Sequence, residues 1–246
     1  MYENSVAKTG LKQALLTNKA VQIAEIVALF LIALIVIKGL APLAGENPLA
    51  RQGTVWIANV LMMVFVWLGL RARGQGWEHF GLDFQNPGGR EIFRKLWKSL
   101  IVFVAAVAAF VLGSIIMANI TGIPEQADFS GYNYLKGNLP MLILALLGVY
   151  IVSSFGEELI YRAFLINRIS EIGGSTKWAI RIAVLISAII FGLVHYDWGA
   201  MGVVQTGFMG LALAVAYLVL KRDLWIPILA HIYIDTILLV QMYFGA

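Results

Sequence analysis

Apolar residues in this chain gather into long runs, separated by short polar stretches that carry most of the charge. Seven runs are long enough to cross a bilayer as helices: 21–40, 54–70, 100–120, 139–167, 178–195, 200–220 and 225–244. The stretch 1–20 ahead of them is polar and carries Lys8, Lys12 and Lys19. The first run is longer than the apolar core of a signal peptide, and no small-residue cleavage site follows, so it reads as a retained helix. Asn86-Pro87-Gly88-Gly89 and Gly173-Gly174 mark breaks. After the first break, Ile92, Phe93, Leu96, Trp97 and Leu100 lie on one side, against Arg90, Arg94, Lys95 and Lys98. That pattern predicts a helix lying on an anionic surface before the chain turns inward. An acidic and aromatic connection, 121–138, precedes the fourth span, and Pro227 falls in the first turn of the seventh, where a missing amide costs least.

Composition identifies the solvent as lipid. Of 246 residues, 60% are hydrophobic and 13% charged, against about 25% charged in soluble domains. Every backbone group in lipid needs an internal partner, and these runs are too long and continuous for barrel strands. The expected fold is therefore all-α, a polytopic transmembrane helix bundle of about seven spans forming a single integral membrane domain over 1–246. With no cysteine, disulfides, thiolate ligands and a cysteine nucleophile are excluded. The formal charge of +4 sits beside the spans, which points to anionic lipid at a basic cytoplasmic face as partner and not to nucleic acid. With the N-terminus inside, all of the 18 Lys and Arg residues except Lys38, Arg51 and Lys136 fall on the inner side. The positive-inside rule thus predicts a cytoplasmic N-terminus and an external C-terminus.

Candidate chemistry concentrates in the C-terminal half. Glu157, Glu158 and Arg162 interrupt the fourth span. A charge near the bilayer centre costs about 2.5 to 3.5 kcal/mol, so such residues mark functional sites with partners elsewhere in the fold. At helical spacing Glu158 and Arg162 share a face in the favourable order, while Glu157 is turned roughly 100° away. One carboxylate is then held by its guanidinium and the other is free to act as base or ligand. His195 ends the fifth span, and His231 and Asp235 lie four apart on the seventh. At 1.5 Å per residue from the nearest inner-side arginine, Glu158 lies ~15 Å deep, His195 ~21 Å and Asp235 ~20 Å, depths at which the three could meet. Singly, each has a plainer reading: a charge pair near the membrane surface, or a histidine bonding between helices. Glu25 and His79 read as interfacial groups, Asn59 as a helix contact, and Phe191 as packing.

The ordered set Glu157-Glu158-x-x-x-Arg162, Phe191-x-x-x-His195 and His231-x-x-x-Asp235, within 153–235, resembles the CPBP family of intramembrane proteases. That family includes CAAX prenyl endopeptidases and bacterial proteins linked to bacteriocin processing and immunity. The resemblance implies an intramembrane endopeptidase acting on a peptide or protein substrate that reaches the membrane, and a bacterial cytoplasmic membrane as location. By position, Glu157 is the water-activating carboxylate, Glu158 the partner of Arg162, and His195, His231 and Asp235 the remaining site residues. No HExxH, GxGD or GxSG motif supports another protease class. Two mechanisms stay open. In one, His195, His231 and Glu157 hold a divalent metal, zinc foremost, that acidifies a bound water. In the other, Glu157 and His195 activate water without a metal, while His231 and residue 235 stabilise the oxyanion. Aspartate at 235 suits metal ligation or the orienting of His231 better than oxyanion donation. Two other classes compete: a catalytically silent peptide-binding or immunity protein, and a proton-coupled transporter, against which stands the crowding of polar residues into one half.

Overall fold

The computed structural model describes residues 2–85, 87–122 and 129–245, with side chains from residue 10 onward. Asn86 of the predicted break, residues 123–128 of the predicted connection and the Lys8 side chain therefore lie outside the described residues. Helices make up almost all of the rest, and no strand occurs among the described residues. The chain is an integral multi-pass membrane protein. In order, α1 covers Tyr2–Thr17, α2 Lys19–Ala44, α3 Pro48–Arg73, α4 Gly89–Thr121, α5 Leu139–Ile172, α6 Lys177–Leu193, α7 Gly199–Val219 and α8 Trp225–Phe244.

Local sequence sets these boundaries. Asn18, Asn47, Asn138 and Thr176 each accept a hydrogen bond from a first-turn amide of the helix that follows, and prolines stand at the starts of α3 and α5, where no amide partner is needed. Gly74 closes α3 in the left-handed conformation, at φ 70°.

Among the described residues six helices are long and apolar enough to span a membrane, not seven. The exception is α6, the predicted fifth span. Its 17 residues rise about 25 Å, a little under the ~30 Å hydrocarbon thickness, yet they carry the chain from the basic end to the end where Trp198 meets Phe129. The apolar run continues to His195, but the backbone leaves the helix at Val194 and turns through Tyr196–Trp198 into α7. A second correction concerns 90–98. Nothing between Lys98 and Ile101 breaks the backbone, so the amphipathic stretch is the first turns of the 33-residue α4 and not a separate surface helix.

The basic segments meet at one end of the bundle. Glu25 pairs there with Arg73, Lys95 lies 3.6 Å from Asp223, Arg222 Nη1 donates to Asn167 Oδ1 at 2.5 Å, and the Leu224 amide donates to Gly81 O at 3.2 Å. At the other end the Gly137 amide donates to Tyr243 O, and Phe129 packs edge-on against Trp198.

Glu25 itself overturns its interfacial reading. It is buried, bonded to Arg73 and 3.6 Å from Arg168, and Gly69 leaves room for it, since a Cβ there would stand 2.7 Å from its Oε1. This ion cluster joins α2 and α3 to α5. The core beyond it is apolar and centred on residues 159–166 of α5, packed by Leu29, Val66, Phe80, Phe191 and Leu213. Helices α6 and α7 cross closely at Gly192 and Gly207. A Cβ on Gly192 would lie 2.5 Å from Val203 O, so the crossing requires a residue without one.

Orientation is open to direct measurement. The native chain has no cysteine, so Lys95→Cys, Ser175→Cys and Lys136→Cys can be labelled singly with an impermeant maleimide. The first two should react only from the cytoplasmic side and the third only from outside; the opposite pattern would invert the topology.

Candidate active site

Helix α5 carries the polar cluster on an unusual backbone. From Tyr150 to Phe155 and again from Glu158 to Leu165 its turns are π-helical. Wide turns of this kind persist where side chains take up the loosened carbonyls, and they recur at functional sites. Here Ser187 Oγ of α6 donates to Tyr161 O at 2.8 Å and Asn167 Nδ2 donates to Ala163 O at 2.5 Å. The widened turns change what the two glutamates face.

Glu158 has two partners. Its Oε1 lies 3.1 Å from Arg162 Nη1, as the spacing predicts, and 2.9 Å from His231 Nδ1 on α8. All three residues are buried, Glu158 and Arg162 completely. The arginine contact is an ion pair without hydrogen-bond alignment, for Nη1 has no hydrogen-bond partner among the described residues. The guanidinium is also stacked 4.1 Å above the Phe191 ring. Gly210 makes space for both groups, since a Cβ there would come within 2.6 Å of the ring and 3.3 Å of Arg162 Nη2. Phe191 is thus the floor under the arginine as well as packing.

The other ring nitrogen of His231 faces the remaining acids. Nε2 lies 4.0 Å from Glu157 Oε2 and 3.7 Å from Asp235 Oδ1. These are electrostatic contacts longer than hydrogen bonds. The acceptor that orients His231 is therefore Glu158, not Asp235 as the sequence suggested. Asp235 instead accepts from Ser154 Oγ at 2.7 Å. Glu157 Oε2 is buried with no hydrogen-bond partner among the described residues. A carboxylate oxygen kept free beside an imidazole is the arrangement a general base requires.

His195 also meets Phe191. The Phe191 ring is 4.9 Å from the His195 ring and 6.2 Å from the His231 ring, centroid to centroid. His195 Nδ1 is 2.7 Å from Phe191 O. A carbonyl only accepts, so Nδ1 carries the proton and Nε2 is the acceptor of the neutral ring. Trp198 covers this ring at 4.8 Å and is itself met by Phe129.

All six predicted residues thus belong to one neighbourhood built from α5, α8 and the turn after α6 that carries His195. Three more line it that sequence reasoning passed over: Ser154, Trp198 and Tyr132. Ser153-Ser154 was a visible polar pair inside an apolar run, one turn ahead of Glu157. Tyr132, outside the spans, is held above its ordinary pKa range by burial first, then by Tyr134, Asp235 and Glu157, so it remains protonated and able to donate.

Among the described residues no group of three or more His, Asp or Glu side chains is arranged to hold an ion. His231 Nδ1 is committed to Glu158 and His195 Nδ1 to Phe191 O. Each ring keeps its Nε2 free, and a second ring nitrogen bonded to a carboxylate or a backbone carbonyl is also how metal-ligating histidines are held.

Comparison with known proteins places this geometry. Residues 139–237 match the family model for type II CAAX prenyl endopeptidase, Rce1-like. The match covers less than half of the chain, yet it runs from the first residue of α5 into α8 and includes Glu157, Glu158, Arg162, His195, His231 and Asp235. No curated protein and no solved structure matches.

Proposed function

We propose, from the premise that residues 139–237 belong to the Rce1-like type II CAAX prenyl endopeptidase family, that this protein is an intramembrane endopeptidase using Glu157 as its general base. The observation that carries the reading is the buried, unpartnered Glu157 Oε2, 4.0 Å from a histidine that a second glutamate orients. In this mechanism a water held between Glu157 and His195 Nε2 gives its proton to the carboxylate as it attacks the scissile carbonyl. His231 faces the developing oxyanion with Nε2, and Glu158, braced by Arg162, stabilises the ring while it carries positive charge. Asp235, fixed by Ser154, positions the substrate side of the site. The proton on Glu157 then passes to the leaving amine, which balances the hydrolysis. The substrate is a peptide or membrane-associated protein, and the membrane the bacterial cytoplasmic membrane. Each step as written uses only side chains of this protein and water.

The test is cleavage of a panel of membrane-anchored peptides by the purified protein in detergent, with and without EDTA and 1,10-phenanthroline. Turnover that resists both chelators is the expected result. Turnover abolished by chelation and restored by zinc would replace this mechanism with a metalloprotease using His195, His231 and Glu157. Tight peptide binding with no product would favour a silent peptide-binding protein.

A further inference from the structure

A second polar cavity lies at the basic end of the bundle, away from the candidate active site. It occupies about 330 Å³ between the first turns of α4 and the α7–α8 turn, and is lined by Arg94, Lys98, Val219, Lys221, Asp223 and Ile226 among others. Three cations against one acid give it a positive balance. Lys95, the neighbouring cation, already engages Glu91 at 3.7 Å and Asp223 at 3.6 Å, and Arg94 reaches Glu91 at 3.7 Å. Lys98 and Lys221 form no ion pair among the described residues.

The turn that presents Lys221 is held in an unfavourable backbone. Lys221 and Arg222 are consecutive non-glycine residues at φ 59° and 61°, a conformation that persists only where surrounding structure enforces it. The enforcing contacts are Arg222 to Asn167 and the Leu224 amide to Gly81 O. Gly81 must lack a Cβ, which would stand 1.6 Å from Arg222 O. Asp223 adds a feature of opposite sign: its Oδ1 is buried with no hydrogen-bond partner among the described residues. On the open side the wall turns apolar. Val219 of the lining is 73% exposed, and Phe93 and Trp97, next to the cavity's Arg94 and Lys98 in α4 but outside its lining, are 71% and 58% exposed, as befits side chains meeting acyl chains at the interface.

We infer that this cavity binds the headgroup of an anionic phospholipid, with Lys98, Lys221 and Arg94 around the phosphate and Asp223 Oδ1 accepting a hydrogen bond from a headgroup hydroxyl or ammonium. Basic pockets between helices at the membrane surface bind lipid headgroups in this way. A free phosphate has the same chemistry for the cations but no acyl chains for the apolar wall. The unpartnered acceptor favours a headgroup with a donor, such as phosphatidylglycerol, over phosphatidic acid.

The intact protein in phosphatidylcholine nanodiscs, titrated with phosphatidylglycerol and read by native mass spectrometry of retained lipid, tests the assignment. The double variant Lys98→Gln/Lys221→Gln should weaken retention by about 25-fold, or about fivefold per cation lost at the surface. Lys177→Gln/Arg181→Gln removes the same charge at the same end and should leave retention within about twofold of the native protein. Equal losses in the two variants would mean diffuse surface attraction and overturn the site. Thermal stabilisation by millimolar inorganic phosphate, matching that by phosphatidylglycerol and lost in the Lys98/Lys221 variant, would assign the cavity to a soluble anion instead. Retention of phosphatidic acid equal to that of phosphatidylglycerol would remove the role given to Asp223.

Discussion

Replacing Glu157 by Gln should lower turnover by about 100- to 10,000-fold, the range for loss of a general base, while the protein folds and melts as before. The substitution keeps the volume and most hydrogen bonding of the side chain. The short contact that holds α5 to α8, His231 with Glu158 at 2.9 Å, also stays in place. Glu157 Oε2 meets His231 only at 4.0 Å, so losing its charge should cost little stability. Turnover with a membrane-anchored peptide and melting temperature in the same detergent give the readout. A variant that cleaves at the native rate would remove Glu157 from the mechanism.

Glu158→Gln should fail in the opposite way, through stability. It removes the counter-charge of a fully buried arginine and the acceptor of a buried histidine in one step. Breaking a buried pair by removing one partner costs about 3 to 5 kcal/mol. The expected result is low yield and a depressed melting temperature. Adding Arg162→Met should restore part of the loss, since no unpaired guanidinium then remains. Recovery should stay incomplete, because His231 Nδ1 still lacks its carboxylate and Phe191 loses the cation stacked 4.1 Å above it. A stable, inactive Glu158→Gln beside an active Glu157→Gln would show the two carboxylates to have exchanged roles. A double variant no more stable than Glu158→Gln would mean that the charge left on Arg162 is not what destabilises the single one.

Much of this could be read from one sequence because lipid is a demanding solvent. A chain with these apolar runs can only form helices, and polar residues inside them must find one another, which is why Glu157, Glu158, Arg162, His195, His231 and Asp235 identify themselves without coordinates. The Glu158–Arg162 pair follows from spacing alone, since two residues four apart touch whatever surrounds the helix.

What the sequence could not supply depends on backbone and distance. The π-helical turns of α5 leave no composition signal, because they exist through Ser187 and Asn167 accommodating carbonyls of α5. Only the tertiary structure makes Glu158 the orienter of His231 and sends Asp235 to Ser154, as the choice among nearby partners is settled by a few ångströms of helix position. Glu25 looked interfacial because Arg73 lies 48 residues away; long-range ion pairs are invisible until helices are packed. The sixth helix is shorter than its apolar run, because hydropathy reports where a chain can reside and backbone hydrogen bonds decide where a helix stops. The sequence alone determined the solvent, the helical class and which polar groups the spans carry; packing decided which of those groups face one another.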